Sequence, residues 1–185
     1  MKNKASWIVG GIVLLLVLFT WSSYNSLVGK NEAVNNQWAQ VEAQYQRRID
    51  QIPNLVSSVQ GAMKQETAVF GAVTEARTRY MNASGVDAKV AAAGQVESTF
   101  AKVLAVMENY PQLKSIDTVQ TLMAEITGTE NRVSVERMRF NDKVTVLNIS
   151  VKSFPGNIFA GMFGFNQRVY FAAAKGAEEA PKVNF

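Results

Sequence analysis

Arg47-Arg48-Ile49-Asp50-Gln51-Ile52-Pro53-Asn54-Leu55-Val56 is the stretch on which the fold turns. Ile52 and Leu55 continue an apolar line that breaks helix convention twice, because Arg48 holds one of its positions and Pro53 falls inside it. Proline removes a backbone donor and disfavours helical geometry at the residue before it, here Ile52. The line keeps its register on both sides all the same, so the stretch reads as a kinked helix rather than a turn.

Outward from this stretch the line is Val34, Trp38, Val41, Tyr45, Arg48, Ile52, Leu55, Val59, Ala62, Glu66, Val69, Val73, Ala76 and Tyr80. Its steps alternate four and three, the pattern of a helix packed lengthwise against others. Asn82 to Gly85 ends it in a polar loop. A second helix is expected from Asp87, a good N-cap, carrying Val90, Val96, Phe100, Val103 and Met107 until Asn109-Tyr110-Pro111. A third begins near Gln112 and aligns Ile116, Val119, Met123, Ile126, Glu130, Val133, Arg137, Phe140, Val144, Leu147 and Val151. Gly128 weakens that helix, and Thr127-x-x-Glu130 has the form of a capping box, so a fresh helix could start there. A reversal at Gly128 gives four helices after the N-terminal apolar run; a continuous helix gives three long ones. No stretch alternates convincingly as a strand does, and the fold class is all-α.

Towards the N-terminus, Ile8 to Phe19 is almost solidly apolar, with Lys2 and Lys4 before it and Trp7, Trp21 and Tyr24 at its ends. A helix over Ala5 to Tyr24 would span roughly 30 Å, enough to cross a bilayer with the aromatic residues as interfacial anchors. Trp21 stands where a signal peptidase needs a small residue, so the segment reads as a retained anchor. Lys2 and Lys4 place the N-terminus in the cytoplasm and the bulk of the chain outside it. Towards the C-terminus the pattern changes at Phe154-Pro155-Gly156. Phe154, Phe159, Phe163, Phe165, Tyr170 and Phe171 are interleaved with glycine in neither a helix nor a strand period, which points to a contact outside the bundle, with the membrane surface or a neighbouring subunit, or else to a lid on the bundle end. The expected organisation is an anchor over 1–24, a helical bundle over 25–153 and an aromatic, glycine-rich segment over 154–185.

The sequence has neither histidine nor cysteine, which removes imidazole-driven nucleophiles, common zinc and haem ligation, and disulfides. No metal, cofactor or catalytic residue is expected. Its 19 basic and 15 acidic residues alternate along the chain rather than forming a basic face, so nucleic acid is not an expected partner. The charges at core-line positions, Arg48, Glu66, Glu130 and Arg137, are expected to pair with one another, Arg48 with Glu130 or Glu66, because buried charges persist only when partnered. Their other reading is an interior polar site for an anionic ligand or a proton relay.

Tyr24-Asn25-x-Leu27-Val28, Trp38, the run Arg47-Arg48-x-Asp50-x-Ile52-Pro53-Asn54-Leu55-Val56, Ala76-Arg77, Asn109-Tyr110-Pro111-x-Leu113, Thr127-Gly128-Thr129-Glu130-Asn131-Arg132, Arg137-x-x-Phe140-Asn141, Asn148 and Phe154-Pro155 together resemble the bacterial LemA family. The resemblance covers nearly the whole chain, and within it Arg47, Arg48, Asp50, Pro53 and Asn54 belong to the most specific run. Phe140 stands where tyrosine is usual and Gln51 where leucine is common. The resemblance implies one N-terminal membrane helix followed by an antiparallel four-helix bundle, which favours a reversal at Gly128. It also implies an external N-terminus, opposite to the charge argument, and it supplies no activity. The function expected is a membrane-anchored helical scaffold that self-associates and holds partner proteins at the lipid bilayer. The alternative is a tethered sensor that recognises a small anionic ligand through its interior charges, and a carboxylate-based enzyme is third.

Overall fold

The computed structural model describes residues 2–59, 67–110 and 117–171. Over these residues the chain is all-α: α1 (Lys2–Val59), α2 (Thr67–Asn82), α3 (Val86–Glu108), α4 (Asp117–Lys152) and α5 (Gly156–Phe163), with no strand among the described residues. They divide into two compact units, one of residues up to Gln37 with Arg139–Arg168, the other of Trp38–Met138 with the chain from Val169 onward.

In the second unit α1 contributes Trp38, Val41, Tyr45, Ile49, Ile52, Leu55 and Val59 to the core. Pro53 sits inside α1 without ending it. An interior proline costs about 3 kcal/mol or more, whereas burying a side chain such as Ile49, Ile52 or Leu55 contributes about 1.5–3 kcal/mol, so the three together outweigh the lost backbone bond. All three are at most 2% exposed. The Pro53 ring faces solvent, and just beyond it the hydroxyls of Ser57 and Ser58 both donate to the Asn54 carbonyl, at 3.0 and 2.8 Å.

Two expectations about helix count are corrected. The line from Val34 to Tyr80 is not one kinked helix. A single helix would separate residues 45 and 80 by roughly 50 Å, yet the Tyr45 and Tyr80 rings stack with centroids 5.6 Å apart. α2 therefore lies beside α1. Ala62 and Glu66 of the expected line fall outside the described residues, and in α2 the buried residue of the first turns is Phe70 rather than Val69. The second correction concerns Gly128, which lies in the interior of an unbroken α4, so the reversal implied by the family resemblance is not there. Thr129 donates to the Ile126 carbonyl at 2.8 Å, a bond made within a running helix. A mid-helix glycine costs only about 1 kcal/mol relative to alanine, less than the burial of Ile126 and Val133 on either side of it returns. Among the described residues four helices build this unit, the fourth coming from the separation of α1 and α2. A smaller correction is that Asp87 lies in the first turn of α3, whose N-cap is Gly85.

Side-chain bonds give the helix directions. Glu42, Tyr45 and Arg48 of α1 meet Lys89, Glu97 and Phe100 of α3 in the same order, so α1 and α3 run parallel. Arg48 and Gln51 meet Glu130 and Glu125, in reverse order, so α4 runs antiparallel to α1. α2 turns back into α3 through the short loop before Gly85, with Arg79 donating to Gln95 at 3.2 Å. The result is an up-down-up-down bundle.

In the first unit, α1 carries a segment long and apolar enough to cross a membrane, and none of that apolar window is buried. Leu27 and Val34 further along the same helix are buried, as are Phe140, Val144 and Leu147 of α4 and Ala160 of α5 in the same unit. The turn from α4 to α5 is so tight that a Cβ on Gly156 would collide with the Ser150 carbonyl oxygen. α5 stops at Gly164, left-handed with φ 75°, and the N–H groups of Gly164 and Phe165 both donate to the Ala160 carbonyl.

Candidate functional site

Among the described residues of the second unit, three ion pairs between helices have a buried or half-buried member. Arg48 is 1% exposed. Its Nη2 donates to Glu130 Oε2 at 2.5 Å, and its guanidinium lies 4.6 Å over the Phe100 ring. Nε and Nη1 have no hydrogen-bond partner among the described residues. Glu130, expected in the interior, is corrected to the rim: its side chain is 52% exposed. The α4 surface near it is held by Ile126, Thr129 and Val133, so the carboxylate reaches Arg48 from the water side. Glu66, the other expected partner, lies outside the described residues.

The second cluster centres on Glu97 of α3. Arg137 Nη1 donates to both carboxylate oxygens at 2.6 Å, and Tyr45 Oη donates to Oε1 at 2.5 Å. Arg137 is half-buried rather than in the core, its guanidinium 4.8 Å over the Phe171 ring. Phe171 itself stacks on Trp38 and Tyr45 with centroids 6.0 and 6.2 Å away. In the third cluster Lys89 pairs with Glu42, which also accepts from Trp38 Nε1 at 3.1 Å, and Lys89 Nζ lies 5.8 Å from the Tyr80 ring centroid.

Burial first, then the Glu97 charge and the hydrogen bond to it, push the Tyr45 hydroxyl far above the usual tyrosine range. Burial and the Glu42 charge do the same for Tyr80. Both hydroxyls stay protonated in the fold, while in the unfolded chain they ionise near the ordinary value of about 10. The stabilisation is therefore complete below about pH 10 and is lost as pH rises above it, by about 1.4 kcal/mol per pH unit for each group. An alkaline titration followed at 295 nm is expected to leave Tyr45 and Tyr80 un-ionised until the helical circular dichroism collapses. Full ionisation with helicity intact would show that Tyr45 and Tyr80 are solvated.

Of the specific run, Arg48 is buried, whereas Arg47, Asp50, Pro53 and Asn54 face outward, Asp50 accepting from Gln46 at 2.9 Å. The run thus supplies one buried cation and one exposed edge. Glu97 and Glu42 escaped the sequence reading because each lies beside, not on, its helix's apolar line, where a charge is ordinarily solvated. What the sequence did offer was the pair of cations on the core lines, Arg48 and Arg137, each of which demands an acceptor. Asn148 was also underread. It is buried in the first unit, where its amide donates to the Arg168 carbonyl at 2.9 Å and its oxygen accepts from the Arg168 N–H at 2.8 Å. Arg168 Nη2 in turn donates to Asn35 at 3.0 Å and reaches Asn31 at 3.4 Å.

The expected membrane anchors Trp7, Trp21 and Tyr24 are all exposed along α1. The expected C-terminal contact segment divides. Phe159, Phe163 and Phe165 turn back onto Phe19 and Tyr24, and Phe154 is 80% exposed. Phe171 is corrected from a contact residue to a core residue, because a slot lined by Trp38, Tyr45 and Arg137 buries it. Among the described residues no group of three or more Asp or Glu gathers as a metal site would need.

The chain is similar to magnetosome protein MamQ 2 of Paramagnetospirillum magneticum, 24% identical over 80% of this chain and 64% of that protein. It is likewise 24% identical to magnetosome protein MamQ of Magnetospirillum gryphiswaldense, over 86% of this chain and 69% of that one. It spans a little under two thirds of the length of the first of these relatives. The LemA family pattern matches residues 37–185, which takes in the Arg48 and Glu97 clusters, and the chain belongs to the LemA family.

Proposed function

We propose that this chain is a single-pass membrane-anchored scaffold that self-associates at the bilayer surface and holds partner proteins there. The observation that carries the reading is in α1. The apolar span and the core residues Leu27 and Val34 lie on one uninterrupted helix, with no glycine- or proline-rich linker between them. An anchor built this way is part of the folded unit rather than a tether on it. Val146 and Ile149 of α4, one helical turn apart and both exposed in the same unit, offer an apolar patch for a second copy. The absence of histidine and cysteine supports a non-catalytic role.

Mass photometry of the full chain in lipid nanodiscs tests self-association. Particles holding more than one copy are expected, and Val146→Glu with Ile149→Glu should reduce them to single copies. Single copies of the unaltered chain at all concentrations would remove the scaffold reading. The bulk of the chain is placed outside the inner membrane on the strength of Lys2 and Lys4. Protease added to intact spheroplasts should digest it; survival until lysis would reverse the orientation.

Nε and Nη1 of Arg48, without a hydrogen-bond partner among the described residues, favour a second reading, a sensor of small anions. Melts of the full chain with millimolar phosphate or dicarboxylates should then show a rise that Arg48→Met abolishes. No rise with either anion class would dispose of that reading.

A further inference from the structure

The span leaves an unusual neighbour beside its last turns. α5, Gly-Asn-Ile-Phe-Ala-Gly-Met-Phe, has no charged residue, and the uncharged stretch runs from Ser153 to Gln167 between Lys152 and Arg168. A helix this apolar at a protein surface is expected to turn its rings inward and cover them. Instead only Ala160 is buried, while Phe154, Ile158 and Met162 stand exposed.

Its inner side rests on the membrane segment. The Phe159 ring meets Phe19 edge-on at 5.7 Å, and Phe163 meets Tyr24 at 4.9 Å. Phe19 is part of the apolar run, and Tyr24 marks its interfacial end. Five residues of helix separate them, roughly 8 Å along the axis. That matches the depth of about 5–10 Å to which an interfacial helix buries its apolar face below the headgroups. Between span and α5 lies an open, mostly apolar groove of about 510 Å³, lined by α1 residues from Val13 to Tyr24 and by Phe163; the Thr20 hydroxyl among them donates to the Leu16 carbonyl at 2.8 Å. On the reading of residues 5–24 as a span, its sides lie at the depth of acyl chains.

We propose that α5, with Phe154, is embedded in the leaflet at the end of the span, Ile158 and Met162 pointing into lipid and one acyl chain occupying the groove against Phe163. The proposal rests on the reading of residues 5–24 as a membrane span. Continuity selects lipid as the occupant: the exposed face of α5 adjoins the unburied span, and whatever covers Phe19 also reaches Phe159 and its neighbours. A second protein copy would have to displace lipid from the span itself to reach the same surface.

The absence of cysteine makes the test clean. Single variants Ile158→Cys, Met162→Cys, Leu15→Cys and Met138→Cys of the full chain, each carrying an environment-sensitive fluorophore, are placed in phosphatidylcholine–phosphatidylglycerol vesicles. Quenching by doxyl-labelled lipid and by aqueous iodide is then compared, and a melt of each variant checks its fold. The dyes at 158 and 162 should be quenched by lipid, as at Leu15, and shielded from iodide several-fold relative to Met138. Iodide access at 158 and 162 equal to that at Met138 would overturn the embedding. Shielding from both quenchers would also overturn it, in favour of a second copy on that face. Loss of lipid quenching at Leu15 as well would overturn the span together with it.

Discussion

Glu130→Ala is expected to lower the melting temperature of the full chain by about 6–12 °C, the consequence of about 3 kcal/mol at 2–4 °C per kcal/mol for a chain of this size. Arg48→Met is expected to cost far less, within about 1 kcal/mol, since exchanging a buried ion for an apolar side chain of similar volume is often neutral. The asymmetry follows from burial. Arg48 is almost wholly enclosed, and Glu130 is the one carboxylate it touches among the described residues. Removing that carboxylate leaves a guanidinium with one aromatic ring, Phe100, and no acceptor there. Removing Arg48 instead leaves Glu130, which at 52% exposure rehydrates with little penalty. The double variant should therefore melt near Arg48→Met and well above Glu130→Ala. Equal losses in the two single variants, or no loss in Glu130→Ala, would mean that Arg48 reaches water or another acceptor in the folded protein. The sequence names Arg48 and Glu130 as candidate partners but not which of them carries the penalty. Burial of the two ends decides the matter, and spacing on a helix does not report it.

What the sequence made legible was the set of core residues more than their connectivity. Val34, Trp38, Val41, Tyr45, Ile52, Leu55 and Val59 are all buried as the four-three stepping requires. The same stepping continued past Val59 without a slip, and so could not distinguish one long helix from two that lie side by side. Pro53 and Gly128 were the visible irregularities, yet each lies within a running helix because buried neighbours outweigh a local cost of about 1–3 kcal/mol. The clusters were half legible. Arg48 and Arg137 stood out as cations on apolar lines, whereas Glu97 and Glu42 depend on how α3 is rotated against α1, which no single helix encodes. The aromatic C-terminal segment lacked a period because its rings serve different places, the span for Phe159, Phe163 and Phe165 and the bundle core for Phe171.

That division sets the second large effect. Phe171→Ala should cost about 3–5 kcal/mol, the usual range for deleting a buried aromatic side chain. Phe171 stacks nearly parallel to both Trp38 and Tyr45, at interplanar angles of 19° and 12°, and carries the Arg137 guanidinium on its face. Its loss opens a cavity beside the Glu97 cluster and removes the ring under a half-buried cation, so Tyr45 and Arg137 loosen together. At 2–4 °C per kcal/mol the melting temperature falls by about 6–20 °C. Phe154→Ala is the control, because a ring 80% exposed to solvent in the isolated chain contributes within about 0.5 kcal/mol. Ending the chain after Arg168 should destabilise at least as much as Phe171→Ala, since it removes the same ring. Melts of the three variants in one detergent decide it: if Phe171→Ala melts with the control, the ring is not a core element, and the C-terminal segment has only its contact with the span to explain its aromatic content.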